Sequence, residues 1–366
     1  MTTDLTVSRE WRTRRPDERF LSLEELHDHV TRRSDRSQTA IDRLRNLRLV
    51  AENDDLRAVV ANQAFGFTDW SFGQLCSNTR ITGNDVSTTL PRDFLRALPA
   101  ERAADLANYV FAKQNGEVMY YVTDDTLRAV TSPKYGRITD AEVTEAIMRA
   151  TAGGRWRVPG VTEAGSRGYD PNAPVTRENT TIYGGDRDIF VFLADPDPIV
   201  IGRTAGDQDD ILYRGFYVRN SEVGASVYEL CTMYFRAVCQ NRIIWGVENK
   251  HMVRIRHNAR APERFIGDAI AHMDDICLDN AELLACVNRA KEKILAATDD
   301  DVVLRFKAMG LSEESARIAM IAYDNLEDRK VRTAWDFTQA ATMLGHLHEN
   351  ADARLAVEKT ASRFLD

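Results

Sequence analysis

The run Asn220-Ser221-Glu222-Val223-Gly224 sets one carboxylate among turn-forming residues. Glu222 there could act as a metal ligand or a general base. The same residue types also build a tight connection between two strands, because Asn, Ser and Gly accept turn conformations and bond back to nearby backbone. No partner for Glu222 stands out in the sequence, so the structural turn is the plainer reading. A second group, Cys231, Cys239, His251 and His257, offers the thiolate and imidazole ligands of a zinc site. The gap between the two cysteines is too wide for a standard knuckle, and Cys231 falls on the apolar side of a predicted strand. Buried, reduced thiols and polar or capping histidines are therefore expected, with no metal and no other cofactor.

The third group is basic and aromatic. Arg236, Arg242, Lys250, Arg254, Arg256, Arg260 and Arg264 interleave with Tyr228, Tyr234, Trp245, His251 and His257. Arg254 and Arg256 share one face of a predicted strand, since strand side chains alternate. A guanidinium row can follow a phosphate backbone while aromatic rings stack bases. Arg236, Trp245, Arg254, Arg256 and Arg260 are accordingly the candidate contacts to DNA or RNA. The competing reading is a solvated strand face paired to acidic side chains of residues 268–282. Arg149, Arg155, Trp156 and Arg157 form a smaller basic-aromatic group. No Walker A string, GxGxxG fingerprint, GxSxG elbow or HExxH motif occurs. No catalytic residue is assigned, and a non-enzymatic role is favoured.

Composition sets the frame. The chain has 366 residues, a net charge of -8 and a hydrophobic fraction of 43%. That length suits two domains, and that fraction supplies a real core. The acidic balance argues against a uniformly basic binding surface. No stretch approaches the roughly 18 apolar residues of a membrane helix, and the N-terminus lacks the apolar core of a signal peptide. The five cysteines form no CxxC pair, which fits reduced thiols in a cytoplasmic protein.

The elements that must carry these groups follow from spacing and turn chemistry. Residues 1–40 read as a charged, loosely packed N-terminal arm with a short helix carrying Leu23, Leu26 and Val30. Residues 41–260 read as a sheet domain. It includes a hairpin about Asn53-Asp54-Asp55, a helix capped by Thr68, helices opened by Pro91 and Pro99, and a hairpin about Thr123-Asp124-Asp125. A helix capped by Thr139, with Glu142 at the capping-box position, precedes a second set of strands beginning near Thr180. Residues 211–218 and 227–238 read as strands, and Arg219 to Glu222 as the connection beside them. Residues 261–366 read as helical, with caps at Ser312 and Thr333. The fold class is α+β: an antiparallel sheet with interspersed helices, followed by a helical C-terminal region.

Four strings carry a family resemblance: Arg128-Ala129-Val130-Thr131-Ser132-Pro133-Lys134-Tyr135, Gly184-Gly185-Asp186-Arg187-Asp188-Ile189-Phe190, Gly215 to Gly224, and Tyr234-Phe235-Arg236-Ala237-Val238-Cys239-Gln240-Asn241. With them the chain resembles the phage- and plasmid-related proteins grouped as domain of unknown function 932, over roughly residues 40 to 350. The family-motif positions are Asn220, Ser221, Glu222, Gly224, Cys239, Asn241 and His257. One departure is Arg242, where relatives commonly carry Gly. The resemblance implies a mobile-element origin and a cytoplasmic site of action, and it supplies no reaction. Two functions are consistent with it. One is an accessory protein that binds nucleic acid in recombination, annealing or replication. The other is a factor that acts on a host or replication protein.

Overall fold

The computed structural model describes residues 15–83, 86–153, 155–159, 174–204, 207–236, 242–244, 252–275 and 281–345, with 357, 360, 361, 363 and 364 near the C-terminus. Residues 41–260 carry two separate principal sheets. Of the segment expected to pack loosely, the described residues from 19 onward contribute to both of them. Strand β1 (Arg19–Phe20) pairs with the larger sheet. Helix α1 (Leu23–Asp35) follows, with Ser22 Oγ accepting from Glu25 N at 3.2 Å. Its Leu23, Leu26 and Val30 are buried in the larger sheet's core. Strand β2 (Ser37–Arg43) then forms the outer edge of the smaller sheet. The high charge of residues 1–40 suggested a loose arm, but three apolar residues on one helical face anchor the helix Leu23–Asp35 within it.

The smaller sheet grows from hairpins. Strands β3 (Arg48–Glu52) and β4 (Asp55–Val60) meet at Asn53 and Asp54, with φ of 53° and 65°. Asn and Asp tolerate this left-handed conformation, which a two-residue hairpin turn requires. Strand β5 (Gln63–Phe67) leads into α2 (Asp69–Asn78), capped by Thr68 with Ser71 as its reciprocal partner. A small ribbon, β6 (Arg80–Gly83) and β7 (Val86–Thr89), precedes α3 (Arg92–Ala97) and α4 (Ala100–Phe111). Strands β8 (Glu117–Thr123) and β9 (Thr126–Thr131) complete the sheet, in the order β2-β8-β9-β5-β4-β3. The β5–β9 pairing is parallel, so this sheet is mixed. Leu49, Phe65, Leu75, Phe111 and Leu127 lie in its core.

Helix α5 (Asp140–Ala150) links the two sheets. Thr139 and Glu142 form the expected capping box. The larger sheet contains β10 (Ile182–Gly184), β11 (Ile189–Ala194), β12 (Ile199–Arg203), β13 (Asp209–Asn220), β14 (Tyr228–Arg236), β15 (Arg242–Ile244) and β16 (Met252–Ile255). Its order is β1-β10-β11-β13-β14-β15, with β12 on β13 and β16 on β14. Helices α1 and α5 cover one face, where Leu26, Val143 and Ile147 share a core with Val191, Phe216 and Val218.

After Pro262 the described residues are predominantly helical, as the spacing predicts. Helix α6 (Ala261–Arg264) passes through a π-helical stretch, Phe265–Ala269, into α7 (Ile270–Asp275). Helices α8 (Ala281–Glu292), α9 (Asp299–Ala308), α10 (Glu313–Glu327) and α11 (Ala334–Gly345) follow. They enclose a core of Val302, Phe306, Tyr323 and Phe337. Trp335 and Val287 pack with Ile199, Ile201 and Leu212, which docks this region on the larger sheet. The architecture is α+β. Among the described residues no helix is long and apolar enough to cross a membrane.

Candidate functional site

Strand β13 runs on through Arg219 and Asn220, which were expected in the connection, because both pair with β11; from Ser221 the chain turns between the two sheets and does not continue as helix. That turn is a buried polar joint. Glu222 is 2% exposed, and both of its carboxylate oxygens are occupied. Oε1 accepts from Arg128 Nη1 and lies 3.3 Å from Arg33 Nη2. Oε2 accepts from the backbone N–H of Asp140 at 3.2 Å. This donor is one of those a helix leaves unsatisfied in its first turn, so the carboxylate completes the N-terminus of α5. Arg33 Nη2 also donates to Asp140 Oδ2 at 2.7 Å, and Arg33 Nη1 donates to Gly185 O at 2.8 Å. Asn220 Nδ2 donates to Asp140 Oδ1 at 2.7 Å and to Ile138 O at 2.9 Å.

The backbone around Glu222 is equally engaged. Trp70 Nε1 and Gln74 Nε2, on α2, donate to Val223 O at 3.0 and 2.7 Å. Tyr135 OH donates to Ser221 O at 2.8 Å, and Arg137 donates to Glu222 O. Ser221 Oγ donates to Arg187 O and accepts from Ala225 N. Gly224 closes the turn at a φ of 86°, a conformation that favours glycine. The motif therefore joins α1, β9, α5 and α2 to the end of β13.

Electrostatics agree with a structural joint. Burial pushes the Glu222 carboxyl up, but the Arg33 and Arg128 guanidiniums outweigh it and hold it down at about 2. Burial and the adjacent Glu222 charge push Asp140 up to about 7, against the pull of Arg33 and Asn220. Glu222 meets both arginines and is the stronger acid of the pair. A carboxylate with both oxygens engaged and a lowered proton affinity is a poor general base.

His257 sits at the other side of this joint. It stacks on Tyr135 with ring centroids 5.0 Å apart, and its Nδ1–H donates to Gly136 O at 3.1 Å. Burial lowers it to about 4, with the Arg137 charge adding and the Gly136 bond opposing. The imidazole is thus neutral in the folded chain and takes a proton near 6.5 when unfolded. Its contribution to stability is present above pH 6.5 and is lost as pH falls towards 4. The wild-type melting temperature should therefore drop more between pH 6.5 and 4 than that of His257→Gln. Parallel melting curves by circular dichroism test this, and equal drops would show that the ring is not held neutral.

Within the basic group the side chains of Arg254, Arg256, Arg260 and Arg264 are among the described residues. Arg254, on β16, and Arg256 and Arg260, just beyond it, are all exposed. Arg254 Nε lies 3.0 Å from Glu229 Oε2, on the neighbouring strand position of β14. The acidic partner of Arg254 is thus a cross-strand residue, while Arg264 Nε pairs with Asp268 of the following helical stretch at 3.2 Å. Arg256 and Arg260 have no ion-pair partner among the described residues. Arg236 ends β14. Trp245, Cys239, Asn241 and His251 lie outside the described residues. In the smaller group Arg149, Arg155 and Arg157 are exposed and Trp156 is buried. Arg155 Nε pairs with Asp195 at 2.5 Å, and Trp156 is buried edge-on against Phe216. Cys231 takes part in no disulfide among the described residues and is buried with Phe190, Phe192 and Tyr217. No cluster of three metal-ligating side chains occurs among the described residues.

Sequence reasoning missed Arg33, Arg128 and Asp140 as partners of the motif. One local signal for Arg128 existed: it stands between Leu127 and Ala129-Val130 on a strand buried on both faces. An arginine in such a strand needs a buried acid. Nothing local marks Arg33 or Asp140.

No curated protein and no solved structure matches the chain. Residues 169–363, more than half of it, match the family described as Domain of unknown function (DUF932). That span contains the Asn220–Gly224 joint, β13 to β16 and most of the helical region, and on this match the chain belongs to the DUF932 family.

Proposed function

We propose that the protein binds nucleic acid as an accessory factor of a phage- or plasmid-related element. The observation that carries the reading is the exposed trio Arg254, Arg256 and Arg260 on β16 and the turn after it, with Arg256 and Arg260 unpaired among the described residues. Arg256 and Arg260 contact phosphates at little cost, because they give up water and counterions, while Arg254 shares its charge with the buried Glu229. The joint at Glu222 does no chemistry in this reading. It holds the two sheets so that β16 and its turn keep one position.

The test is fluorescence anisotropy with labelled single-stranded and duplex oligonucleotides between about 50 and 200 mM salt. Affinity should fall steeply with salt. The double change Arg254→Ala and Arg256→Ala should weaken binding on the order of tenfold and flatten the salt slope by about 1.4–1.8, one phosphate contact per arginine. Absence of binding to any oligonucleotide at low salt removes this reading. The second reading, a factor acting on a protein partner, is favoured by the outer face of α10. There Ile318 and Ile321 are exposed, one helical turn apart.

A further inference from the structure

The edge of the smaller sheet at β2 is unusual in what it leaves open. Strand β2 pairs with β8 on one side in an unbroken register from Ser37↔Thr123 to Arg43↔Glu117. The same register continues to Leu44, whose N–H donates to Gly116 O at 2.9 Å. In an antiparallel ladder, residues alternate between turning both backbone groups to the neighbour and turning both away. Leu44 turns inwards, so Gln38, Ala40 and Asp42 bond β8. Ser37, Thr39, Ile41 and Arg43 then direct their N–H and C=O groups to the free edge. Arg43 N agrees: it is held by the Asp42 side chain at 2.7 Å, not by β8.

This edge lacks the usual protection. Natural edges are blunted by Pro, charged side chains, bulges or shortness. Strand β2 has seven residues, no Pro and no register shift, its two charged residues lie together at its C-terminal end, and its Ile41 is 59% exposed.

We infer that β2 is a dimerisation edge, occupied by β2 of a second copy of this chain, antiparallel about a two-fold axis at Ala40. That register uses all seven residues. Thr39 of each copy opposes Ile41 of the second copy, and all four backbone groups involved already point across the gap. Two symmetric pairs make four new N–H···O bonds. The same pairing stacks two β-branched side chains, a favourable cross-strand match. The charges fit as well, because Asp42 opposes Gln38 and Arg43 opposes Ser37, so no like charges face each other. The two six-stranded sheets would run on as one. A single strand pair buries less than a typical stable interface, so the dissociation constant should be roughly micromolar. This surface is separate from the arginines of β16, and the inference does not depend on nucleic-acid binding.

Sedimentation velocity on the full chain from about 1 to about 200 µM is the test. The expected result is a shift from the 41.4 kDa monomer towards twice that mass. Thr39→Pro removes an outward N–H and no ladder bond, so it should weaken the dimer roughly 30-fold or more at an unchanged melting temperature. Ala40→Pro removes a bond to β8 and should lower the melting temperature instead. Hydrogen exchange decides without any substitution: the Thr39 and Ile41 amides should slow as concentration rises, while Ala40 stays protected throughout. A monomer at the highest concentration overturns the inference. So does a dimer in which Thr39 and Ile41 exchange at the same rate across the range.

Discussion

Glu222→Ala is expected to destabilise the protein by about 3–5 kcal/mol, the usual cost of removing one partner from a buried ion pair. The reason lies in what remains. Arg33 and Arg128 are 8% and 3% exposed, and without Glu222 they keep one acidic neighbour, Asp140, between them. The first-turn N–H of α5 also loses its acceptor. Glu222→Gln preserves shape but removes the charge, so it should lose nearly as much. Urea denaturation followed by circular dichroism measures both. A loss under about 1 kcal/mol for Glu222→Ala would mean that water reaches the arginines and that the joint is not a closed ion-pair network.

Gly136→Ala is expected to cost about 1–3 kcal/mol, the range for forcing extra atoms into packed structure. It should also weaken any nucleic-acid binding. A Cβ at Gly136 would lie 1.9 Å from Asn258 O and 2.8 Å from Asn258 C. Those atoms are backbone, so no rotamer change relieves the overlap. The turn from His257 to Arg260 must move away, taking with it the His257 Nδ1–H bond to Gly136 O. Arg256 and Arg260 flank that contact. A thermal melt measures the stability loss, and oligonucleotide anisotropy measures the change at the arginines. If the melting temperature does not change, the 136–258 contact is looser than its geometry states. If stability falls and binding holds, the arginines of this turn do not carry recognition.

Features encoded within a few residues were legible in the sequence. The Asn53-Asp54 hairpin, the Thr68 and Thr139 caps and the Ser312 cap all formed where turn and cap chemistry places them. A cap needs only its own hydroxyl and an N–H three residues on, so the information is local. The Asn220–Gly224 turn was visible for the same reason. Its role was not, because Glu222 meets Arg128 across 94 residues and Arg33 meets Asp140 across 107. Neither arginine differs in type from those that line the exposed β16 turn.

The chain's local order determined which residues turn, cap and alternate, and its apolar spacing determined where α1 and the C-terminal helices form, though not that α1 would pack into a sheet core. Tertiary structure alone decided that there are two sheets, that α1 and β2 serve both of them, and which arginines are buried with acids and which face solvent. Capping and periodicity depend on contacts one helical turn or one strand position away. The fate of a charge depends on which distant strand the topology brings beside it. Arg128 lies on a strand covered on both faces and must have Glu222, while Arg256 lies just past the end of β16 and keeps its water.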